Sequence, residues 1–369
     1  MKIKAAIMIE AGKPLVIDEA ELASPGPHEV LVRIRASGVC HSDLNSLMDP
    51  TTPVPAILGH EGSGEVVETG SQVRGLKAGD KVSLNWMPFC GVCPYCRHHQ
   101  VHLCENAFKP MFEGTLLDGT SRLSYKGRTA YHYSLLSTFA EYAVVPEMSC
   151  VKLPDDMPFA QAALLGCGVA TGYGAAVHAA RVTPGSSVAV FGIGGVGVNA
   201  IQGAKIAGAA QIIACDVKER NLEIARKFGA THAVNVAESD AVEAVKALTG
   251  GYGVDFAIDA TGNPRAGQSS WLVTRRGGTA VIVGAFPANG ELSLPAGGFH
   301  RLGKTLKGSF YGDIHPLRDI GTLANLYLNG QLMLDELILE QIPLEKINDA
   351  LDKFHDSQSV NVGRSVIVF

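Results

Sequence analysis

Residues 187–216 read SVAVFGIGGVGVNAIQGAKIAGAAQIIACD: a strand-like apolar run, a glycine-rich turn, a helix-length segment and a second apolar run. The turn places Gly192, Gly194 and Gly197 at the G-x-G-x-x-G spacing. The first glycine permits a tight turn, the second lets the backbone approach a pyrophosphate, and the third lets the helix pack on the strand. The second run ends at Asp216, about 20 residues beyond the glycines, where a carboxylate can accept hydrogen bonds from ribose hydroxyls. This order predicts a dinucleotide-binding unit.

The residues around this turn favour NAD over NADP as the dinucleotide. The N-terminus of the helix directs free N–H groups and partial positive charge toward the phosphates. Gly195 and Val196 of the turn are therefore predicted to contact the cofactor together with the three glycines. Asp216 would repel a 2′-phosphate, and Val217 rather than an arginine follows it.

Composition predicts a globular protein without a charged macromolecular partner. The chain has 369 residues, which is long enough for two domains. A hydrophobic content of 46% supplies a large core, and a net charge of −5 without a basic run argues against nucleic acid or an anionic membrane as partner. The first residues lack the apolar core of a secretory signal, and no stretch is expected to reach the ~20 apolar residues of a membrane span. The cytoplasm is the expected location.

The pattern of elements predicts an α/β chain of two domains. Residues 1–168 read as short strands separated by Gly, Pro and Asp. Residues 169–311 alternate strand and helix with six apolar runs, the fifth at 280–284, which predicts a Rossmann-type doubly wound parallel sheet. Residues 312–369 hold one helix and a closing strand, so they are expected to return to the mainly-β first domain.

Four of the eight cysteines lie close together as C-x2-C-x2-C-x7-C, at Cys90, Cys93, Cys96 and Cys104. In a chain that is expected to carry no secretory leader, cysteines favour metal or thiol chemistry over disulfides. Four thiolates at this spacing can enclose one tetrahedral Zn²⁺ with no open position, which is how structural zinc is bound. Unpaired buried cysteines, the alternative, would not require the spacing. The prediction is a structural zinc that stabilises a loop lobe without a core of its own.

Cys40, His60 and Cys167 are candidates for a second metal site. They lie in three separated segments, GVCHSD, GHE and LLGCGVATGYG. Two thiolates and an imidazole give Zn²⁺ three ligands and one open position, the arrangement of a catalytic zinc. A lone cysteine or histidine is also explained by packing in a core, so the spacing leaves both interpretations open.

The order of these motifs resembles that of the zinc-dependent medium-chain alcohol dehydrogenases. The resemblance runs along nearly the whole chain, through Cys40-His41-Ser42-Asp43, Gly59-His60-Glu61, the four-cysteine lobe, Asp118-Gly119-Thr120-Ser121-Arg122, Gly166-Cys167-Gly168 with Thr171-Gly172-Tyr173-Gly174, and the glycine turn. It is nearest to the branch that holds class I and class III enzymes and their bacterial relatives. It implies a GroES-like fold for the mainly-β domain, two zinc ions per chain, one catalytic and one structural, and NAD.

The resemblance also assigns roles around the catalytic zinc. The two cysteines and the histidine of the second site would be its ligands, and zinc would polarise the alcohol oxygen while hydride passes to the nicotinamide. Glu61 would ligate the metal transiently during ligand exchange, and Asp43 would orient the histidine ligand. Ser42 would bond the substrate oxygen as the first step of proton export.

Two positions depart from the class I pattern. Asn45 stands where a class I histidine ends the proton relay, and an amide cannot take up a proton near neutral pH, so the relay must end elsewhere. His41 stands where many class I enzymes carry an arginine for the pyrophosphate, and it would bind with a dependence on pH. Arg364 matches the family's other pyrophosphate arginine, and Thr171 falls beside the nicotinamide.

Large side chains at the family's substrate-pocket positions favour aryl or medium-chain primary alcohols and their aldehydes. These are Trp86, Tyr133 and Phe310, which are equally consistent with core packing around a narrower pocket. Class III enzymes use a basic residue to bind the carboxylate of a thiol adduct of formaldehyde, and the nearest position here is Phe108, with Lys109 beside it.

The sequence thus predicts a zinc-dependent, NAD-linked alcohol dehydrogenase that acts on a small-molecule alcohol or aldehyde. A thiol-dependent formaldehyde dehydrogenase is the alternative, and a non-catalytic NAD-binding protein is a remote one. The resemblance implies a homodimer or homotetramer, formed through an edge strand near residues 305–310, without choosing between them.

Overall fold

The computed structural model describes residues 1–287, 289–354 and 362–369. The chain folds into two compact units. The first contains residues 1–167, 315–354 and 364–369, and the second contains residues 168–314 with 362 and 363. The first unit is therefore assembled from both ends of the chain.

Strands dominate the first unit, and strands alternate with helices in the second. Among the described residues the strands are β1 (Lys2–Met8), β2 (Val16–Leu22), β3 (Glu29–Gly38), β4 (Ala56–Ile57), β5 (Glu61–Thr69), β6 (Lys81–Leu84), β7 (Leu123–Tyr125), β8 (Arg128–His132), β9 (Tyr142–Pro146), β10 (Cys150–Lys152), β11 (Ser187–Phe191), β12 (Gln211–Asp216), β13 (His232–Asn235), β14 (Val254–Asp259), β15 (Thr274–Ile282), β16 (Thr305–Gly308), β17 (Ile338–Ile342) and β18 (Arg364–Val368). The α-helices of the same residues are α1 (His41–Met48), α2 (Pro94–Arg97), α3 (Glu105–Glu113), α4 (Phe159–Leu164), α5 (Ala170–Gly174), α6 (Gly197–Ile206), α7 (Glu219–Phe228), α8 (Ala241–Leu248), α9 (Pro264–Val273), α10 (Gly297–Leu302), α11 (Pro316–Leu328) and α12 (Ile347–Asp352).

The strands of the first unit form two sheets. One is a closed barrel in the order β1-β2-β7-β8-β4. The other is seven-stranded, in the order β10-β6-β5-β3-β18-β17 with β9 also paired to β3. Strand β18 runs antiparallel to β3, with Val366 opposite Gly38. The last strand of the chain thereby lies beside the strand that leads into α1.

Apolar side chains fill the barrel. Ile7, Leu58 and Phe139 are fully buried in one cluster, to which β1 also contributes Ile3 and Met8. Burying a side chain of this size stabilises a fold by roughly 1.5–3 kcal/mol. The barrel therefore has a well-packed core of its own and holds the segments that leave it in fixed positions.

The second unit contains a six-stranded parallel sheet in the order β13-β12-β11-β14-β15-β16. Strand β11 has β12 on one side and β14 on the other, so the strand order reverses beside it. Open parallel sheets bind ligands at such a reversal, outside the carboxyl ends of the strands. The parallel sheet and the mainly-β first unit confirm the predicted fold class.

The glycine turn after β11 requires glycine at two positions for different reasons. Gly192 has a φ of +83°, in the left-handed region that side chains rarely adopt. A Cβ atom at Gly197 would lie 1.9 Å from the carbonyl oxygen of Gly192, so any side chain there would clash with the backbone. Both constraints bring the start of α6 directly against the end of β11.

Strands β15 and β17 are among the elements that differ from the sequence-based expectation. Strand β15 begins at Thr274, although the sequence predicted only residues 280–284, because its first half is rich in arginine and glycine. Pairing with β14 extends it through a register shift between Val254 and Phe256. Strand β17, which pairs in parallel with β18, was not predicted at all.

The helical stretch Phe159–Ala180 has the length and composition of a membrane span, with a mean hydropathy of 1.2. The expectation that no stretch comes close to this was wrong, since alanine, leucine and valine outweigh the glycines of the run. In the structure 78% of its most apolar window is buried, as in the core helix of a folded unit. Two π-helical segments, Leu165–Val169 and Ala175–Ala180, interrupt its α-helical geometry.

Candidate active site

Four side chains of the first unit form a compact group of metal donors. Cys40, His60, Glu61 and Cys167 each offer one ligand atom, and these atoms all lie within 4.8 Å of one another. Cys40 directly precedes α1, His60 and Glu61 lie where β5 begins, and Cys167 lies in the first π-helical segment. Two thiols and an imidazole are the donor types that zinc prefers in proteins, so the set fits a zinc ion. Segments far apart in sequence are thus brought to one point.

Asp43 fixes two of these donors through one buried carboxylate. Its Oδ2 accepts the backbone N–H of Cys40 at 2.9 Å, and its Oδ1 accepts the backbone N–H of Gly59 at 3.2 Å. Oδ1 also lies 3.0 Å from Nδ1 of His60. A carboxylate can only accept here, so Nδ1 carries the proton and Nε2 is left to bind a metal.

Arg364 pairs with the fourth member of the group. Its Nε lies 3.1 and 3.0 Å from the two carboxylate oxygens of Glu61, and its Nη2 lies 3.1 Å from Oε1. The same Nη2 lies 3.4 Å from Sγ of Cys40. Burial raises the pKa of Glu61, and the Arg364 cation opposes that shift. The guanidinium therefore holds Glu61 and faces the thiol of Cys40.

The two thiols of the group differ in acidity. A hydrogen bond from Cys167 holds the pKa of Cys40 well below its usual value, with help from Arg364 and His60 against the opposing effect of burial. The hydrogen bond to Cys40, followed by burial, raises the pKa of Cys167 well above its usual value. Because metal ligands must be deprotonated, a metal bound here would displace the proton of Cys167.

A backbone contact that the sequence did not reveal sets the position of Cys167. A Cβ atom at the preceding Gly166 would lie 2.0 Å from the carbonyl oxygen of Leu84 in β6. Only glycine therefore allows the π-helical segment to lie this close to the strand. π-Helical turns often occur at functional sites, but only the identity of Gly166 marks this one in the sequence.

The first turn of α1 carries the other predicted catalytic side chains. Ser42 is exposed, and its Oγ lies 3.8 Å from Sγ of Cys40. Tyr133 packs edge-on to the His60 ring at 5.5 Å between centroids, and its hydroxyl donates to the carbonyl oxygen of Ser42 at 3.1 Å. Asn45 is exposed, and His41 is exposed with its ring 5.2 Å from that of Phe354.

The four-cysteine lobe forms a second, closed group of donors. The sulfur atoms of Cys90, Cys93, Cys96 and Cys104 all lie within 4.8 Å of one another. The backbone N–H of Cys93 donates to Sγ of Cys90 at 3.3 Å, and the backbone N–H of Cys90 donates to Sγ of Cys104 at 3.3 Å. Four sulfur donors fill a tetrahedral shell, so this group fits a structural zinc with no exchangeable position.

The second unit positions Asp216 against the glycine turn. Its Oδ2 accepts the backbone N–H of Ile193 at 2.7 Å, and its Oδ1 accepts the backbone N–H of Lys218 at 2.9 Å. The side-chain amide of Asn221 donates to Oδ1 at 3.2 Å. These contacts place the acid at the carboxyl end of β12, beside Gly194, Gly195 and Val196 of the turn.

The remaining predicted contacts are divided between the units. Thr171 lies in α5 of the second unit. A Cβ atom added at the neighbouring Gly172 would lie 2.2 Å from the carbonyl oxygen of Val196, which shows that α5 packs closely on the glycine turn. Trp86 is half-buried beside a core cluster of the first unit, whereas Phe310 lies in the second. The predicted pocket residues Trp86 and Tyr133 share one unit, and Phe310 does not belong to it.

Comparison with known families matches both halves of the chain. Residues 26–155 match the model of the alcohol dehydrogenase GroES-like domain, and residues 195–326 match that of the zinc-binding dehydrogenases. The first match covers the metal-donor strands and the cysteine lobe, and the second begins within the glycine turn.

Similar proteins extend the match to full length. The chain is 40% identical to the class-3 alcohol dehydrogenase of Drosophila melanogaster, across 99% of this chain and 97% of that one. It is 38% identical to the class-3 alcohol dehydrogenase of Cereibacter sphaeroides, across 100% of both. The crystal structure of benzyl alcohol dehydrogenase from Acinetobacter calcoaceticus is 33% identical with a TM-score of 0.94, covering 100% of this chain and 99% of that one. The chain belongs to the zinc-dependent medium-chain alcohol dehydrogenase family, which confirms the predicted class of enzyme.

Proposed function

We propose that this chain catalyses reversible hydride transfer between NAD and a primary alcohol that carries an aryl or medium-length alkyl group. The observation that carries the proposal is the donor set of Cys40, His60 and Cys167. Arg364 engages Glu61, so three donors and one exchangeable position remain. That arrangement distinguishes a catalytic zinc from a structural one.

The protein's own residues prepare the metal position. Zinc bound there would supply Lewis acidity toward the alcohol oxygen. Asp43 holds the His60 ring in the orientation and tautomer that present Nε2, and it fixes the backbone of Cys40 at the same time. Arg364 balances the charge of Glu61 and of the Cys40 thiolate, so Glu61 is available as a transient ligand without being a permanent one.

We propose that Ser42 is the first carrier of the alcohol proton. Ser42 is an exposed residue of the first turn of α1, and its Oγ lies 3.8 Å from the Cys40 sulfur. Tyr133 holds that turn by donating to the Ser42 carbonyl oxygen. Asn45 cannot hold a proton near neutral pH, so the proton is proposed to pass from Ser42 Oγ to water.

The second unit is the proposed site of NAD. The three glycines of the turn, Gly195 and Val196 are proposed to bind the pyrophosphate, and Asp216 the adenosine ribose. His41, Arg364 and Thr171 are further proposed contacts on the strength of the family resemblance. In this division of labour residues 169–311 bind the dinucleotide, and residues 1–168 with 312–369 carry catalysis.

The proposal of an aryl or medium-chain substrate rests on the aromatic side chains of the first unit. Tyr133 lies against the His60 ring, and Trp86 is half-buried in the same unit. Their apolar surfaces suit an aromatic or alkyl group. A relative of nearly identical fold is named for benzyl alcohol, which agrees with this choice.

Thiol-dependent oxidation of formaldehyde is the second candidate function. It is favoured by the full-length class-3 relatives. It is also favoured by Lys109, an exposed cation on α3 whose Nζ lies 3.7 Å from Oε1 of Glu113. Phe108, at the position nearest to the class III basic residue, instead packs near Phe112 with 5.9 Å between ring centroids. The apolar side chain of Phe108 at that position supports the alcohol assignment.

Assembly and location complete the proposal. Strand β16 lies at an edge of the parallel sheet and offers unpaired backbone groups, so a homodimer or homotetramer is proposed to form through it. The cytoplasm is the proposed location, in keeping with free thiols at two metal-donor groups.

The test is a substrate panel on zinc-loaded protein, with NADH formation followed by absorbance. Ethanol, hexanol, benzyl alcohol, cinnamyl alcohol and formaldehyde are compared, the last with and without a low-molecular-weight thiol, and zinc is counted on the same sample. Highest kcat/KM for an aryl or medium-chain alcohol without thiol, with two zinc ions per chain, supports the proposal. Turnover of formaldehyde only when thiol is present supports the second candidate, and one zinc without turnover supports a non-catalytic NAD-binding protein.

A further inference from the structure

The barrel of the first unit has a cavity at one of its mouths. It measures about 410 Å³ and is lined by Ile9, Val16, Val54, Pro55, Tyr125, Lys126 and Arg128. Pockets for small molecules measure roughly 300–1,000 Å³, and the mouth of a β-barrel is one of their usual places. None of the lining residues belongs to the donor groups described above. The cavity is therefore separate from the candidate active site.

Ends of strands β2, β7 and β8 line this cavity, together with the segments next to β1 and β4. Ile9 directly follows β1, Val16 begins β2, and the Val54–Pro55 segment leads into β4. Tyr125 ends β7 and Arg128 begins β8, and the two residues face each other across the hairpin. Side chains of such a cross-strand pair project to the same face, which places the aromatic ring and the guanidinium together.

The wall of the cavity is apolar and open to solvent. Ile9 is 41% exposed and Val16 is 42% exposed. Val54 and Pro55 continue this surface, and Nζ of Lys126 lies 4.7 Å from the centroid of the Tyr125 ring. Burial of such a surface by an alkyl chain or an aromatic ring is favourable by about 25 cal/mol per Å².

The two cations at the rim are not equivalent. Nζ of Lys126 lies 3.2 Å from Oδ2 of Asp18, and the same oxygen accepts a hydrogen bond from the Tyr125 hydroxyl at 2.7 Å. The Tyr125 hydrogen bond, with further donors, lowers the pKa of Asp18 to about 2, so Asp18 stays ionised and compensates Lys126. Arg128 has no ion pair with any residue that the structure describes, and its side chain is exposed. One positive charge therefore stands uncompensated beside an apolar wall.

We propose that this barrel mouth, defined by Ile9, Val16, Val54, Pro55, Tyr125 and Arg128, binds a small amphipathic carboxylate. The guanidinium of Arg128 takes the carboxylate, and the apolar wall takes an alkyl chain or aryl ring. Arginine suits this role because its planar N–H groups match a carboxylate in a two-point geometry. The inference does not depend on the proposed substrate, cofactor or metal.

The test measures binding of radiolabelled octanoate to zinc-loaded full-length protein by equilibrium dialysis. Arg128→Gln should weaken octanoate binding at one site by at least about tenfold, the usual effect of losing a charged hydrogen-bond partner. Val16→Glu should do the same, because the new carboxylate occupies the mouth and pairs with Arg128. Arg33→Gln is the matched control, since Arg33 is an exposed arginine of β3 outside the cavity.

Two unlabelled competitors separate the parts of the proposed ligand. Acetate carries the charge without the chain and octanol carries the chain without the charge, so each should compete at least about tenfold less well than octanoate. NADH-forming turnover of Arg128→Gln should equal that of the starting protein. Unchanged octanoate binding in both cavity variants overturns the proposal, as does loss of binding in Arg33→Gln to the same extent. Equal competition by octanol would show that no carboxylate is recognised and would overturn it too.

Discussion

Arg364 and Glu61 form a buried ion pair between residues that lie 303 positions apart in the chain, with Nε and Nη2 of the arginine both within 3.1 Å of Oε1. Arg364 is 9% exposed and Glu61 is 1% exposed. Charges so far from water are stable only as partners, and removing one leaves the other unpaired in a site that water cannot solvate. The pair therefore joins the last strand of the chain to the metal-donor group.

Arg364→Gln is expected to lower the free energy of unfolding by about 3 kcal/mol, because it strands the Glu61 carboxylate in the interior. The measurement is the midpoint of urea unfolding on zinc-loaded protein. The double variant Glu61→Gln/Arg364→Gln should recover much of the loss, since neither charge then remains. A double variant no more stable than Arg364→Gln would contradict the pairing as the source of the effect.

Cys167→Ser is expected to reduce turnover by about 10³-fold or more. The donor set loses a thiolate and with it the metal, which stabilises the charge of the transition state by several kcal/mol. Zinc content should fall from two ions per chain to one, while NADH binding persists. Cys150→Ser is the matched control, since Cys150 is a buried thiol outside both donor groups. It should retain both zinc ions. Full turnover in soluble Cys167→Ser would exclude Cys167 as a ligand.

Asp216→Asn is expected to reduce the preference for NAD over NADP by about tenfold, because the repulsion of a 2′-phosphate disappears while an oxygen remains to accept hydrogen bonds. The quantity to measure is the ratio of kcat/KM for the two dinucleotides. Asp240→Asn serves as control, because Asp240 is another acid of the second unit that caps α8. An unchanged ratio in Asp216→Asn would remove Asp216 from the ribose site.

His132 predicts a dependence of stability on pH. Burial, followed by the Arg122 charge, lowers the pKa of His132 to about 3, well under the usual value of about 6.5. Between these values the unfolded chain binds a proton that the folded protein does not. The contribution of His132 to the free energy of unfolding is full above about pH 6.5. It decreases as the pH drops below that value, by up to about 1.4 kcal/mol per pH unit.

His132→Gln removes this titration, so its unfolding free energy should change less steeply between pH 6.5 and pH 4.5 than that of the starting protein. Urea unfolding at several pH values measures both slopes, and zinc release affects the two proteins alike. Parallel slopes would show that His132 is not held neutral by burial.

Features encoded by short spacing could be predicted from the sequence. The glycine turn and the cysteine lobe each depend on residues close together in the chain, because one turn or one loop brings them together, and the acid that ends β12 follows from one strand–helix–strand unit. Their residue types also limit the chemistry, as four thiolates suit a closed zinc shell. The Rossmann sheet followed from the regular alternation of apolar runs with helix-length segments.

Features that depend on distant partners could not be predicted. The contact of Arg364 with Glu61 requires β18 to pair with β3, and nothing near either residue in the sequence indicates that pairing. The first half of β15 carries two arginines and two glycines, which disfavour a strand until β14 is beside it. Gly166 is required only because the carbonyl oxygen of Leu84 lies where its Cβ atom would be.

The position of Asp43 has a consequence for redesign of the metal centre. One carboxylate, that of Asp43, contacts the Cys40 backbone, the Gly59 backbone and the His60 imidazole. The positions of two ligands from separate segments therefore depend on this one side chain. Because Cys40 contacts Asp43 through its backbone N–H, exchange of the Cys40 side chain for a harder donor leaves that contact in place, whereas exchange of Asp43 releases both the Cys40 backbone and the His60 ring. Redesign of the metal centre should therefore keep Asp43 fixed while the ligand side chains are varied.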